Sequence, residues 1–142
     1  MKKIIYYLLL ITLFVSNQFV FAKKLDNPVL ILSSKNLSEI NETDNYFEDK
    51  SVYNVNERIY FSIYHPKGFK SDFIKYQIVK QDDKAHFGGY TRIRNKTVRL
   101  KDRNYYSDYI YLTEAGKYFI QIFDITNLHQ WVAIGAFLVK NE

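Results

Sequence analysis

Residues 104–124 read NYYSDYIYLTEAGKYFIQIFD, and the alternation of apolar and polar positions through them decides the fold class. Successive side chains of a strand point to opposite faces. In 107–112, Ile110 and Leu112 therefore share one face, while Tyr109 and Tyr111 take the other. Tyr106 has the parity of Ile110 and Leu112 and is expected to reach inward, with Tyr105 at the margin of the outer face. The run 117–124 alternates again. Moving outward, 58–64 puts Ile59, Phe61 and Ile63 opposite Arg58, Tyr60, Ser62 and Tyr64. The run 72–81 sets Ile74, Tyr76 and Ile78 against Lys75, Gln77 and Val79. Gly88 and Gly89 open 90–94, and Asn95–Lys96 is expected to turn that run into 97–101. A late run covers 131–140 and an early one 28–32, where Pro28 suits the start of an edge strand. Seven to nine short strands at roughly ten-residue spacing, with no helical pattern, indicate an all-β sandwich or barrel.

Within the opening stretch, LTEAGKYFI, residues 112–120, resembles the E–F corner of immunoglobulin-like domains. There an acidic residue, a small residue or glycine, and a tyrosine lead into strand F; here these positions are Glu114, Ala115, Gly116 and Tyr118. The resemblance implies an immunoglobulin-like antiparallel β-sandwich, with the Tyr118 hydroxyl bonded back to the main chain as a structural lock. Ile120 stands where antibody-type domains carry their disulfide cysteine, and Tyr76 is nearest to the strand-C tryptophan position. The single tryptophan, Trp131, comes late in the chain. In such a sandwich strands B and E are neighbours. The resemblance therefore implies that Tyr60, Tyr64, Tyr109 and Tyr111 stand together on one outer face. A fold of this kind hosts many unrelated activities and does not specify one.

The first residues have the organisation of a secretory signal peptide. Lys2 and Lys3 precede an uncharged apolar core, 4–15, and Val20-Phe21-Ala22 fits the small-residue cleavage rule. Residues 1–22 are thus expected to be a helical leader that is removed, and 23–142 a single domain with a polar loop at about 34–51. The alternative is an uncleaved membrane anchor, but the apolar core is short for a span of about 20 residues and Ser16, Asn17 and Gln18 interrupt it, so cleavage is expected, with no stable insertion afterwards. Loss of Lys2 and Lys3 lowers the net charge from +5 to +3, too small to argue for a nucleic-acid partner. The absence of cysteine excludes a disulfide, a thiolate nucleophile, a thiolate metal site and a lipoprotein anchor. The richness in Lys, Asn, Ile, Tyr and Phe points to an AT-rich bacterial gene, which weakens any argument from the 13 tyrosines as a count.

Few constellations suggest chemistry. His65, His86 and His129 are widely spaced in expected loops, without metal-ligand spacing. Glu42, Asp44, Glu48 and Asp49 cluster without the glycine and spacing of an EF-hand. No catalytic residue, metal or cofactor is expected. Two surface features remain. The first is basic: with a turn at Asn95–Lys96, Arg92 and Arg94 from one strand and Arg99 from the next form one positive surface. Such charges also guard sheet edges against aggregation. The second is the tyrosine face, where Tyr60, Tyr64, Tyr109 and Tyr111 supply rigid amphipathic contact area. Phe119 and Phe123 would form a further apolar patch on the opposite sheet. The expectation is a non-catalytic, exported bacterial interaction domain, in the periplasm or outside the cell, acting on an envelope protein. The alternatives are a carbohydrate-binding module that takes a glycan on its tyrosine face, and a homo-oligomeric envelope component.

Overall fold

A computed structural model describes residues 27–36, 50–85 and 88–141. The expected leader 1–22, the carboxylate cluster 42–49 and His86 lie outside the described residues. Every regular element among the described residues is a strand: β1 (Val29–Ser33), β2 (Val52–Asn54), β3 (Ile59–Tyr64), β4 (Phe73–Gln81), β5 (Tyr90–Arg99), β6 (Tyr105–Ile110), β7 (Gly116–Asp124) and β8 (Ala133–Lys140). They form a three-stranded sheet ordered β1-β3-β6 and a five-stranded sheet ordered β2-β8-β7-β4-β5. All pairings are antiparallel except β2 with β8. β1 is an edge strand, so Pro28 at its entrance costs no ladder bond.

The two sheets share one core, as a β-sandwich does. Ile59, Phe61 and Ile63 of β3 face Ile74, Tyr76 and Ile78 of β4, the faces that alternation assigns to the interior. The Tyr76 ring meets Phe61 edge-on at 5.0 Å, and Tyr106 packs 6.2 Å from Phe61, inward as its parity requires. Each such ring withdraws apolar surface from water, a gain of about 1.5–3 kcal/mol per large side chain. At the turn into β7, the Tyr118 hydroxyl donates to the Glu114 carbonyl at 2.8 Å, the backbone bond that the 112–120 motif implies. The Tyr118 ring stacks on Phe137 at 5.7 Å. Gly116 adopts φ 154°, and a Cβ there would sit 2.7 Å from Lys80 Cε, whose ammonium pairs with Glu114 at 2.7 Å. The glycine therefore keeps the corner's ion pair in place.

The interior is not wholly apolar. Asp108 lies opposite Phe61 in the β3–β6 ladder and so faces between the sheets. Its Oδ2 accepts from the hydroxyls of Tyr106 at 2.9 Å and Tyr76 at 3.2 Å, and from Lys96 Nζ at 3.3 Å. Its Oδ1 accepts from the Tyr109 N–H at 2.8 Å. Lys96 belongs to β5 and Asp108 to β6, so this cluster joins the free edges of the two sheets.

One expected turn is absent. Residues 90–99 are a single strand paired to β4 along its whole length, and Asn95–Lys96 lies mid-strand opposite Gln77 and Tyr76. A two-residue hairpin of the favoured kind needs positive φ at its central residues, which Asn-Lys without glycine supports poorly. Asn56 is the only non-glycine residue at positive φ among the described residues. The glycine pair that opens the run does turn the chain, between β4 and β5, where Gly88 and Gly89 take φ 67° and 76°.

Two outcomes follow for stability. Tyr118→Phe keeps the ring and removes the corner bond, and should lower unfolding free energy in urea by about 1 kcal/mol. Asp108→Asn should cost about 1–3 kcal/mol, and it should also flatten the acid limb. Burial pushes the Asp108 carboxyl up, but the Tyr109 N–H, the Tyr106 hydroxyl and Lys96 outweigh it and hold it below its ordinary value. The stability this contributes is complete above about pH 4, the unfolded carboxylate range, and lost as pH falls through the lower folded value. Urea midpoints measured below pH 4 should fall less steeply in the variant than in the wild type.

Candidate functional site

β3 and β6 pair directly, and their register places Tyr60 opposite Tyr109, Ser62 opposite Ser107, and Tyr64 opposite Tyr105 on the outer face of the small sheet. Tyr60 and Tyr109 rings lie 5.8 Å apart, and Tyr109 meets Tyr111 edge-on at 5.6 Å. At the centre of these three rings is Arg58. Its guanidinium sits 4.7 Å from the Tyr109 ring centroid, 5.5 Å from Tyr111 and 5.9 Å from Tyr60. Its Nε donates to the Tyr111 hydroxyl at 2.7 Å, and a terminal nitrogen donates to Tyr60 at 3.0 Å. These bonds to Tyr60 and Tyr111 hold the guanidinium above its usual pKa, so it stays charged at any working pH. Planar guanidinium against aromatic faces is an attractive cation–π geometry.

The four tyrosines share the outer face but not one cluster. Tyr64 is four residues along β3 from Tyr60, roughly 14 Å at strand rise, and its neighbour is Tyr105. Between the two groups lies a low strip of serines. Ser62 Oγ donates to Ser107 Oγ at 2.9 Å, and Ser107 donates to the Phe61 carbonyl at 3.2 Å. The small side chains leave a shallow groove of about 340 Å³, with Asn36, Tyr60, Tyr105, Ser107 and Tyr109 among its walls. Tyr109, Tyr111, Tyr64 and Tyr105 are all exposed. Arg58 was legible as an outward position of the 58–64 run, two residues before Tyr60, but alternation carries no sign that it would bind three rings at once.

The positive surface does not form. The β4–β5 register shifts between Ile78 and Val79, so that Arg94 pairs with Ile78 and Arg92 with Val79, leaving Ile93 as the extra residue. This bulge puts Arg94 on the inner side with Lys96, opposite the buried Ile78 and away from the face of Arg92. Arg92 and Arg99 remain on the outer side, opposite Val79 and Phe73, six residues apart along β4 or roughly 20 Å. Arg99 packs over the Phe73 ring at 6.0 Å. The charges and the bulge lie along the exposed β5 edge, as in edges guarded against pairing with another chain. The expected second patch is also reduced. Phe123 is buried, and Phe119 is half-buried against the Tyr90 ring at 5.6 Å.

Among the described residues no group of three or more His, Cys, Asp or Glu is placed to hold a metal ion. His129 is exposed in the β7–β8 connection. His65 is half-buried after β3, edge-on to Phe69 at 5.0 Å, and burial pushes its pKa down against the pull of Asp124. No helix among the described residues is long and apolar enough to cross a membrane.

No family model matches this chain, and no curated protein matches it. Among solved structures it is similar to the soluble domain of PmoD from Methylocystis sp. ATCC 49242, with TM-score 0.48 and 10% identity over 80% of this chain and 90% of that one. It is similar also to the superoxide reductase neelaredoxin of Ignicoccus hospitalis, with TM-score 0.44 and 8% identity over 80% of each chain. The alkylpurine DNA glycosylase AlkC of Pseudomonas fluorescens gives TM-score 0.44 and 10% identity over 80% of this chain. This chain spans only 30% of the length of AlkC. Scores at this level carry no argument about activity.

Removal of the guanidinium should loosen the rings without unfolding the sheet. In Arg58→Ala, ring resonances of Tyr60, Tyr109 and Tyr111 should average and shift in NMR spectra, while amide signals of Ile59, Phe61 and Ile110 stay in place.

Proposed function

We propose that this chain is a non-catalytic interaction domain that docks a partner protein on the outer face of its three-stranded sheet. The observation that carries the reading is Arg58 held among Tyr60, Tyr109 and Tyr111, an exposed cluster whose side chains are already ordered by their mutual contacts. Tyrosine and arginine are the residue types that dominate binding energy at protein interfaces. Rings fixed before contact lose little conformational entropy on docking. Tyr64 and Tyr105 extend the same face, with the serine groove between the two groups.

The immunoglobulin-like reading belongs to this proposal. It is supported by strand order, by the Tyr118 corner bond, and by Tyr76 buried on β4 in the slot of the strand-C tryptophan. The leader expected from 1–22 supports export, so the partner is sought among bacterial envelope proteins in the periplasm or at the cell surface. Neither nucleic acid nor a cofactor is part of the reading.

A photo-crosslinking residue placed at Tyr109 should capture one protein in intact cells, and the same residue at Lys75 on the other sheet should not. With that protein purified, Tyr60→Ser combined with Tyr109→Ser should weaken binding at least tenfold, with the circular dichroism spectrum unchanged. Equal capture from both positions, or unchanged affinity in the double variant, would overturn the proposal. Capture of a second copy of this chain would instead support a homo-oligomer, and capture of none together with glycan-array binding lost in the double variant would support a sugar-binding face.

A further inference from the structure

The outer face of the five-stranded sheet is a second surface, in which apolar and cationic side chains are interleaved. Val52, Phe73, Tyr90, Ile134 and Leu138 all have the outward parity of their strands, and each is at least 37% exposed. They belong to rows that cross the sheet. Val52 lies beside Leu138, and Ala136, Phe119 and Val79 stand opposite one another on β8, β7 and β4. The Tyr90 ring closes on Phe119 at 5.6 Å. Contiguous exposed apolar side chains on one face mark a contact with a protein or a membrane.

The charges on this face have one sign. Lys75, Arg92, Arg99, Lys117 and Lys140 occupy outward positions, and no Asp or Glu does so on any of the five strands. Asp124, the one acid within these strands, has the inward parity of Ile120 and Ile122. Asp82 and Asp83 lie in the turn after β4 together with Lys84, and Asp72, just before β4, pairs with Arg103 at 3.2 Å. All these groups taken together leave an excess of three positive charges. Edge protection accounts for Arg92 and Arg99 on β5, but Lys75 and Lys117 stand on the interior strands β4 and β7. Two of the cations lie over rings of the same face. Lys117 Nζ is 5.4 Å from the Phe119 centroid, and the Arg99 guanidinium is 6.0 Å from that of Phe73.

We propose that this face lies against an anionic lipid bilayer, its apolar side chains at the boundary of headgroups and acyl chains and its cations at the level of the phosphates. Adsorption of this kind draws on buried apolar area and on charge attraction together. Each Lys or Arg near an anionic membrane surface adds to it. The Tyr90 ring suits the membrane interface, where tyrosine is enriched. Lys117 and Arg99 keep their charged heads in water while their stems run along Phe119 and Phe73. Two other occupants fit less well. A second copy placed face to face would bring two cationic surfaces together. A protein partner would cover Lys75 and Lys117 in the middle of the patch, where interfaces are depleted in lysine because its strongly hydrated ammonium must lose water. The tyrosine face belongs to the opposite sheet and points away from the bilayer, so neither proposal depends on the other.

The chain has no cysteine, so Leu138→Cys carrying an environment-sensitive fluorophore reports this face alone. With vesicles of equal parts phosphatidylglycerol and phosphatidylcholine, its emission should shift to the blue and saturate, and the shift should weaken as salt rises. The same fluorophore at Tyr64→Cys, on the other sheet, should not shift. Vesicles of phosphatidylcholine alone should bind at least tenfold more weakly. In flotation of the unlabelled full chain, Lys75→Gln with Lys117→Gln should weaken binding at least tenfold. Lys35→Gln with Lys70→Gln removes the same charge elsewhere and should leave binding within twofold. Circular dichroism checks that both pairs keep the fold, and the two labels decide the matter should the first pair lose it. Equal binding to the two vesicle types, wild-type affinity in the Lys75 and Lys117 variant, or equal shifts at both labels would each overturn the proposal. The second of these is the outcome if residues 1–22 alone hold the chain to lipid. Absence of vesicle binding, with an acidic protein captured by a crosslinker at Leu138, would overturn it in favour of a protein partner.

Discussion

The carboxylate of Asp108 is the point at which the two sheets are joined along their open side. Hydrophobic contact between the inner faces holds the layers together but is non-directional. It does not by itself determine how the β5 edge lies against the β6 edge. The hydrogen bonds from Tyr76, Tyr106, Lys96 and the Tyr109 main chain do have direction. Leaving any of these partly buried groups unpaired would cost about 1–3 kcal/mol. Asp108 is also the immediate neighbour of Tyr109, so the same carboxylate that orders the seam orients the strand presenting the outer tyrosines.

Tyrosine serves two distinct ends in this chain. Tyr53, Tyr76 and Tyr118 are buried with their hydroxyls bonded to Lys50 O, Asp108 and Glu114 O, respectively. Each is a large apolar ring whose polar tip is satisfied inside the fold. Tyr60, Tyr109 and Tyr111 have no such internal anchor and are organised instead by Arg58 on the surface. A count of tyrosines cannot separate these uses. The hydrogen-bond partner of each hydroxyl can.

Much of the architecture was legible in the residues. Alternation assigned Ile59, Phe61, Ile63, Ile74 and Ile110 to the interior and Tyr109 and Tyr111 to the exterior, and the 112–120 motif anticipated the bond made by Tyr118. The departures cluster on β5. A bulge at Ile93 reverses the parity beyond it, so Arg94 left the face shared with Arg92, and a strand continued through Asn95–Lys96 where a turn was expected. The inward parity of Asp108 was available from the same alternation as Ile110. A charged residue at an inward position reads as an error in the pattern until its partners are known.

Sequence alone determined the period-two pattern of each strand, the location of the tyrosine corner, and the absence of any thiol chemistry. These are local properties, set by side-chain direction in an extended chain and by which residue types are present. Only the tertiary structure decided which strands became neighbours, where β5 bulged, and that Arg58 would meet three rings from two strands. It also decided that Val52 would lie beside Leu138, and that Lys75 and Lys117 would share one outer face. Such juxtapositions depend on register and on packing between sheets. These are set by the summed burial and hydrogen bonding of the whole domain, and no short stretch of residues encodes them.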